Sequence, residues 1–131
     1  MAVLGDFIER SKQYLQFGPA CTWVIKERIM MCAGLVQLWC GVAEAWMVTT
    51  DLVPQYPLAF HRAISKMLTL HEKNMGLWRI QTAIHWKHQV SQKWVQHLGF
   101  RREGGMPGYG PNGDTYIRFA RVKKENISCH F

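Results

Sequence analysis

One short segment constrains the fold more than any other, because it predicts a helix with a defined end. Val90, Trp94 and Leu98 recur at every fourth position, and this spacing predicts one buried stripe along an amphipathic helix. Gly99 follows the stripe, and glycine adopts the left-handed conformation that stops a helix without steric penalty. The sequence therefore predicts a helix that ends at Gly99 and a strand that starts at Phe100.

Other patterns extend this helix and strand into one α+β domain. Residues 77–86 alternate as a half-buried strand does, and Pro57 suits the first position of a helix. The predicted elements are a helix over 6–16, a hairpin of strands over 21–25 and 29–35, a strand over 43–50, a helix over 57–73, a strand over 77–86, a helix over 88–98, and strands from residue 100 and over 115–122. We expect a single domain over 1–131, with a loose tail from about residue 123. Its mostly antiparallel sheet should splay between the two central strands.

The charge of the chain favours an acidic partner. A net charge of +7 is compatible with nucleic acid, a phosphorylated cofactor or an acidic protein surface. The basic residues are scattered, and their densest cluster, 118–124, alternates with apolar residues as the wet face of a strand does. This pattern favours a solvated face over a nucleic-acid stripe, so nucleic acid is not an expected partner.

Several other function classes lack their usual signals. The N-terminus shows neither a secretory signal nor a membrane span, which predicts a cytoplasmic protein without a membrane partner. Cys21, Cys32 and Cys40 lie in apolar sequence without a Cys-x-x-Cys pair, so we expect buried, reduced thiols. His85 and His88 have no carboxylate or thiolate at ligand spacing, and no metal site is expected. The tryptophans lie mostly at positions with the periodicity of the core, which favours core packing over base stacking.

The order strand, helix, Leu98-Gly99-Phe100 and strand resembles the C-terminal half of GNAT-type N-acetyltransferases, in which a cofactor-binding helix ends in this tripeptide. The resemblance implies a GNAT-like α+β fold, N-terminally short in this chain, with acetyl-CoA as cofactor. Residues 46–51, 88–99 and 109–113 further resemble the acetyltransferase-like internal virion proteins of short-tailed bacteriophages. That likeness implies a host or virion protein as partner, and a place in the host cytoplasm or the virion.

The start of the first long helix is the candidate pyrophosphate site. Free backbone N–H groups and the helix dipole favour a phosphate there, and His61 and Arg62 add donors. GNAT proteins carry the pattern Gln/Arg-x-x-Gly-x-Gly/Ala at this loop; Gln55 keeps the first position, whereas Leu58 and Phe60 replace both small ones. In the family the preceding strand pairs with the pantetheine arm. The resemblance thus implies cofactor contacts from Met47, Val48, Thr49, Gln55, Leu58, Ala59, Phe60, His61 and Arg62.

The resemblance also implies catalytic candidates. Glu44 lies where many GNAT enzymes carry a general base, which an ammonium acceptor needs because it has no lone pair for attack. Family members often place a tyrosine acid four residues before the glycine, but Val95 occupies that position and cannot donate a proton. Tyr109 or His88 could serve as the acid instead; otherwise the transfer step has been lost.

Two hypotheses follow from this sequence. In the first, the protein is an acetyl-CoA-dependent N-acetyltransferase, or an acyl-CoA binder with degenerate catalytic motifs. In the second, it is a non-catalytic protein that uses the same fold to dock on a host enzyme or to act in virion assembly. The sequence leaves the choice between enzyme and binding protein open, along with the acceptor and the oligomeric state.

Overall fold

A computed structural model describes residues 18–123 of the chain. The predicted helix over 6–16 and nearly all of the predicted tail lie outside the described residues. The described elements are β1 (Ala20–Ile25), β2 (Arg28–Trp39), β3 (Val42–Thr49), a 3₁₀ turn (Val53–Gln55), α1 (Pro57–Asn74), β4 (Arg79–His85), α2 (Gln89–His97), β5 (Arg101–Met106) and β6 (Tyr116–Val122). In this part of the chain, no helix is both long and apolar enough to cross a bilayer.

The six strands form one sheet in the order β1-β2-β3-β4-β6-β5. Every neighbouring pair is antiparallel except β3 with β4, which run parallel because α1 connects them as a crossover. The two helices and this mixed sheet confirm the predicted α+β class and its mostly antiparallel sheet.

A tight turn with a left-handed backbone closes the first hairpin. Lys26 and Glu27 form a two-residue loop with φ angles of +50° and +65°, the left-handed pair that matches the twist of a hairpin. Strand β2 is longer than predicted, because its pairing with β3 continues to Trp39 opposite Val42. The chain then reverses at Gly41, whose φ is +78° and where a Cβ would lie 2.4 Å from the Trp78 ring.

The centre of the sheet splays, as predicted. The parallel pairing of β3 with β4 covers three residue pairs, from Val42 with Arg79 to Glu44 with Gln81. Beyond Glu44, β3 and β4 continue to their ends without further ladder pairs between them. The hydroxyl of Thr82 donates to the carbonyl of Ala45 at 3.2 Å, which ties the strands just past the point where they part.

Both helices pack against the same face of the sheet. The core joins buried residues of the two helices with buried residues of β2, β3, β4 and β6. The Phe60 ring of α1 stacks on the Trp94 ring of α2, with centroids 4.6 Å apart. Helix α1 has the predicted bounds to within a residue, and the apolar face expected for it is buried through Phe60, Ile64, Met67 and Leu68.

The predicted stripe on α2 is wrong at its first position. Val90 is 79% exposed, whereas Val95 and Leu98 are each 6% exposed and Trp94 is partly buried. Residues four apart advance about 40° beyond one full turn, so a strict every-fourth series drifts around the helix. The buried face instead follows mixed spacing of three and four through Ser91, Trp94, Val95 and Leu98.

Two further expectations need correction. Cys32 is buried and free, but Cys21 is exposed, and Cys40 is exposed and disulfide-bonded. Trp39 and Trp86 are 62% and 50% exposed, so core periodicity did not bury them. Each lies at or beyond the end of a strand, where alternation no longer fixes which side chains face the core.

Candidate active site

A cavity of about 630 Å³ opens where β3 and β4 part. Glu44 and its neighbours on β3 form one wall, and residues at the end of β4 form the other. Because both helix-facing and opposite-facing side chains line it, the cavity passes through the splay. Its principal lining residues are Glu44, Ala45, Trp46, Met47, Thr82, Ala83, Ile84, His85, His88, Met67, Ser91, Trp94, Val95, Tyr109 and Tyr116.

Glu44 lies on the cavity wall at the last position of β3 that pairs with β4. Its carboxylate accepts a hydrogen bond of 2.6 Å from the Arg118 guanidinium, and the two side chains are 27% and 17% exposed. Arg118 comes from β6, on the far side of β4. Sequence reasoning missed this contact, because it assigned the cluster containing Arg118 to a solvated strand face.

Tyr109 extends over the same cavity from the loop between β5 and β6. Its ring lies 5.7 Å from the Arg118 guanidinium carbon and 5.4 Å from the Tyr116 ring. Arg118 therefore contacts both Glu44 and Tyr109, and the structure brings these two candidates to one wall. His88, the third catalytic candidate, lies on the cavity rim at the start of α2, with an exposed side chain.

A histidine and an aspartate anchor the loop that carries Tyr109. The Lys87 backbone N–H donates to Nδ1 of His85 at 3.2 Å, so the neutral ring carries its proton on Nε2. That nitrogen lies 3.1 Å from the Asp114 carboxylate. The carbonyl of Asp114 in turn accepts from the Gly110 N–H at 3.0 Å. Neither His85 nor Asp114 was among the predicted site residues.

The start of α1 forms the second part of the candidate site. Tyr56 caps the helix without a side-chain hydrogen bond, and the first turn contains no acidic residue. The N–H of Phe60 donates to the Tyr56 carbonyl, so the N–H groups of Leu58 and Ala59 precede the first helical hydrogen bond. Arg62 is exposed one turn later. These features make the helix start electropositive.

The two bulky replacements do not fill the helix start with side chains. Leu58 is 69% exposed, and Phe60 is 8% exposed because its ring turns inward onto Trp94. The indole N–H of Trp94 donates to Nδ1 of His61 at 3.1 Å, which leaves the proton of the neutral imidazole on Nε2. Gln55 is exposed and donates weakly to the Asp51 carbonyl at 3.4 Å.

The three strand residues predicted to meet the cofactor differ in position. Met47 lines the cavity, Val48 is buried against Cys32 on the face opposite the helices, and Thr49 pairs with Met31 of β2. Beyond Glu44 the edge of β3 toward β4 makes no ladder pairs in the described structure. Such an edge can hydrogen-bond the amides of an extended ligand.

Two observations concern the general acid and metal binding. Val95 lines the cavity and is 6% exposed, at the position where the GNAT resemblance of the sequence implies a tyrosine acid. Among residues 18–123, no group of three or more His, Cys, Asp or Glu side chains is arranged to hold a metal ion.

Sequence comparison finds neither a matching family model nor a matching curated protein. Solved structures do match. An IAA acetyltransferase from Bacillus cereus has a TM-score of 0.76 at 11% identity, covering 93% of each chain. The ribosomal-protein-S5-alanine acetyltransferase from Vibrio fischeri has a TM-score of 0.75 at 18% identity, covering 95% of this chain and 71% of that one. A GNAT family acetyltransferase from Elizabethkingia anophelis, with acetyl-CoA bound, has a TM-score of 0.71 at 16% identity, covering 88% and 82%.

These matches define the class of the fold. The six-stranded, mostly antiparallel sheet with its two helices is a GNAT-like α+β fold. At these identities the likeness establishes the architecture, and the chemistry has to be argued from the residues.

Proposed function

We propose that the protein binds acetyl-CoA in the splay cavity and transfers its acetyl group to an amine. One observation carries this proposal: β3 and β4 pair at three positions and then part around a cavity of about 630 Å³ that leads from Glu44 to the helix-covered face. A solved neighbour with the same fold contains acetyl-CoA, which supports the choice of ligand.

In this proposal the cofactor extends along the free edge of β3. Its pantetheine amides pair with the backbone of Met47, Val48 and Thr49, and its pyrophosphate lies at the start of α1. The N–H groups of Leu58 and Ala59 supply donors there, because no helical carbonyl takes them. Side-chain donors come from Gln55, His61 and Arg62, whereas Phe60 contributes by fixing α1 against α2 through its stacked ring.

The proposed chemistry is direct acyl transfer. Glu44, or a water that it orients, takes the proton from the acceptor ammonium, and the amine nitrogen then attacks the thioester carbonyl. A carbon–nitrogen bond forms and the attached nitrogen releases its second excess proton to water, which leaves the amide. The carbon–sulfur bond breaks, and the departing thiolate takes a proton. Val95 cannot supply that proton. Tyr109 or His88 does so in this proposal, since both lie on the cavity lining.

Acetyl transfer can be tested with purified protein. Candidate amines and peptides are incubated with acetyl-CoA, and mass spectrometry counts the added acetyl groups for the wild type and for Glu44→Gln. We expect transfer by the wild type and a loss of about a hundredfold in the variant, because a positioned general base contributes on this scale. Acetyl transfer that persists in Glu44→Gln would support the enzymatic function but would exclude Glu44 as the general base.

The non-catalytic alternative is favoured by two specific observations. Val95 removes the expected acid, while the Glu44 carboxylate is already hydrogen-bonded to Arg118. In this second proposal the fold is a binding platform for a host or virion protein in the host cytoplasm or the virion, as the phage resemblance of the sequence implies. Absence of acetyl transfer by the wild type, together with stoichiometric recovery of a host or virion partner, would favour this reading.

A further inference from the structure

We propose that Arg118 is a positioning residue that holds Glu44 and Tyr109 in one fixed arrangement at the cavity wall. This inference rests on the proposed function, because it assigns Arg118 a task in acetyl transfer. Glu44 and Tyr109 both line the cavity, whereas Arg118 is not part of the lining and contacts both of them from behind. Arg118 therefore acts through these two side chains and need not touch a substrate.

The register of the sheet makes room for the Arg118 side chain. Arg118 lies opposite Ala83 on β4 and opposite Gly104 on β5, so its neighbours on both sides are small. Ala83 is two residues beyond Gln81, the partner of Glu44, and therefore faces the same side of the sheet. The arginine side chain extends over Ala83 across β4 to reach Glu44 on β3.

The chemistry of the guanidinium suits this double contact. Its donors form a rigid planar fork, so one edge can hydrogen-bond a carboxylate while the plane interacts with an aromatic ring. Arg118 donates to Glu44 at 2.6 Å, and its guanidinium carbon lies 5.7 Å from the Tyr109 ring. A lysine would keep the charge but would lose the fork, so it should not hold both partners.

The position of this contact links it to the shape of the cavity. Glu44 is the last residue of β3 that pairs with β4. Its ion pair with Arg118 lies on the sheet face opposite the helices, and the hydrogen bond from Thr82 to Ala45 holds the same junction. Loss of Arg118 would therefore remove the hydrogen bond that holds the base candidate and one ring contact of Tyr109 together, while leaving the His85–Asp114 anchor of the loop and the start of α1 unchanged.

The first experiment needs no activity. Tyrosine rings are labelled with ¹³C, the Tyr109 signal is assigned with Tyr109→Phe, and NMR spectra are recorded for Glu44→Gln and Arg118→Met. We expect both variants to move the Tyr109 signal, because Arg118 transmits a change at Glu44 to the ring. Arg79→Met is the matched control: Arg79 lies on the same face and forms an ion pair with Glu103. A Tyr109 signal that stays in place in Glu44→Gln, or that moves equally in Arg79→Met, would overturn the proposal.

The second experiment separates positioning from folding and from cofactor binding. For Arg118→Met we expect turnover to fall at least about tenfold while the dissociation constant of acetyl-CoA changes by less than about threefold. Arg118→Lys should recover little, and added guanidinium ion should restore part of the turnover of Arg118→Ala but none of Arg79→Ala. Equal losses of turnover in the Arg118 and Arg79 variants would show that Arg118 has a purely structural role.

The wild type distinguishes this proposal from the proposed function. A wild type that binds acetyl-CoA but transfers no acetyl group to any acceptor would reject the positioning role of Arg118. A wild type that does not bind acetyl-CoA would reject the proposed function itself.

Discussion

Glu72 should be the most stability-critical charge in the described fold. It lies on α1 with its side chain 3% exposed, and its carboxylate is 2.9 Å from the Arg121 guanidinium and 3.1 Å from the Lys123 ammonium. Glu72→Ala leaves Arg121, which is 16% exposed, without this partner, whereas Lys123 at 36% can turn toward water. Breaking a buried ion pair lowers the free energy of unfolding by about 3–5 kcal/mol. Because both cations are partly exposed, we expect the lower end of this range, about 3 kcal/mol.

Thermal and urea unfolding followed by circular dichroism would measure this cost. For a domain of this size, about 3 kcal/mol corresponds to a decrease in Tm of about 10 °C. The matched control is Arg28→Ala, because Arg28 and Asp51 are 63% and 71% exposed and 3.8 Å apart. It should cost less than about 0.5 kcal/mol. Glu72→Leu combined with Arg121→Met should recover part of the loss, since no buried charge is then stranded. If Glu72→Ala destabilises no more than Arg28→Ala, the buried pair does not contribute as argued.

Two further predictions concern pH and cofactor binding. The hydrogen bond from Arg79 lowers the pKa of Glu103, so this pair stabilises the folded state while Glu103 is ionised. Burial lowers the pKa of His71, so the folded state loses stability when His71 has to be protonated. The urea midpoint should therefore fall as the pH drops below the ordinary histidine value of 6.5, and it should fall again below about 4. The first decrease should be absent in His71→Gln, and the second should be absent in Glu103→Gln. A flat profile would contradict both assignments. Arg62→Glu should weaken acetyl-CoA binding by about 1–2 kcal/mol in calorimetry through lost charge-assisted contacts, and unchanged affinity would remove Arg62 from the pyrophosphate site.

Local sequence rules predicted the elements that depend on one or a few residues. Gly99 adopts a φ of +92° and ends α2, and Pro57 starts α1 as the first-position rule requires. The two-residue loop at Lys26 and Glu27 lies inside the predicted turn. The glycine and proline signals depend on backbone conformations that those residues themselves favour, whereas Lys26 and Glu27 adopt left-handed φ angles because β1 pairs with β2 around them.

The candidate site depends on contacts that no local pattern contains. Arg118 meets Glu44 only because β6 pairs with β4 in one register and β4 pairs with β3 in another. A shift of one residue in either register would place Arg118 and Glu44 on opposite faces of the sheet. The inward turn of Phe60 onto Trp94 likewise depends on how α1 and α2 pack. The resemblance of the sequence to GNAT enzymes could therefore indicate Glu44 as a candidate, but no sequence pattern could supply its partner.

The most direct test of the central claim is to locate acetyl-CoA on the protein. Methionine methyl groups are labelled with ¹³C, their signals are assigned by substitution with leucine, and acetyl-CoA is titrated in. Met47 and Met67 line the cavity, whereas Met75 lies at the far end of α1, outside the lining. The account predicts saturable shifts of the Met47 and Met67 signals while the Met75 signal stays in place. Unchanged Met47 and Met67 signals at saturating acetyl-CoA, or a shift of the Met75 signal alone, would contradict it.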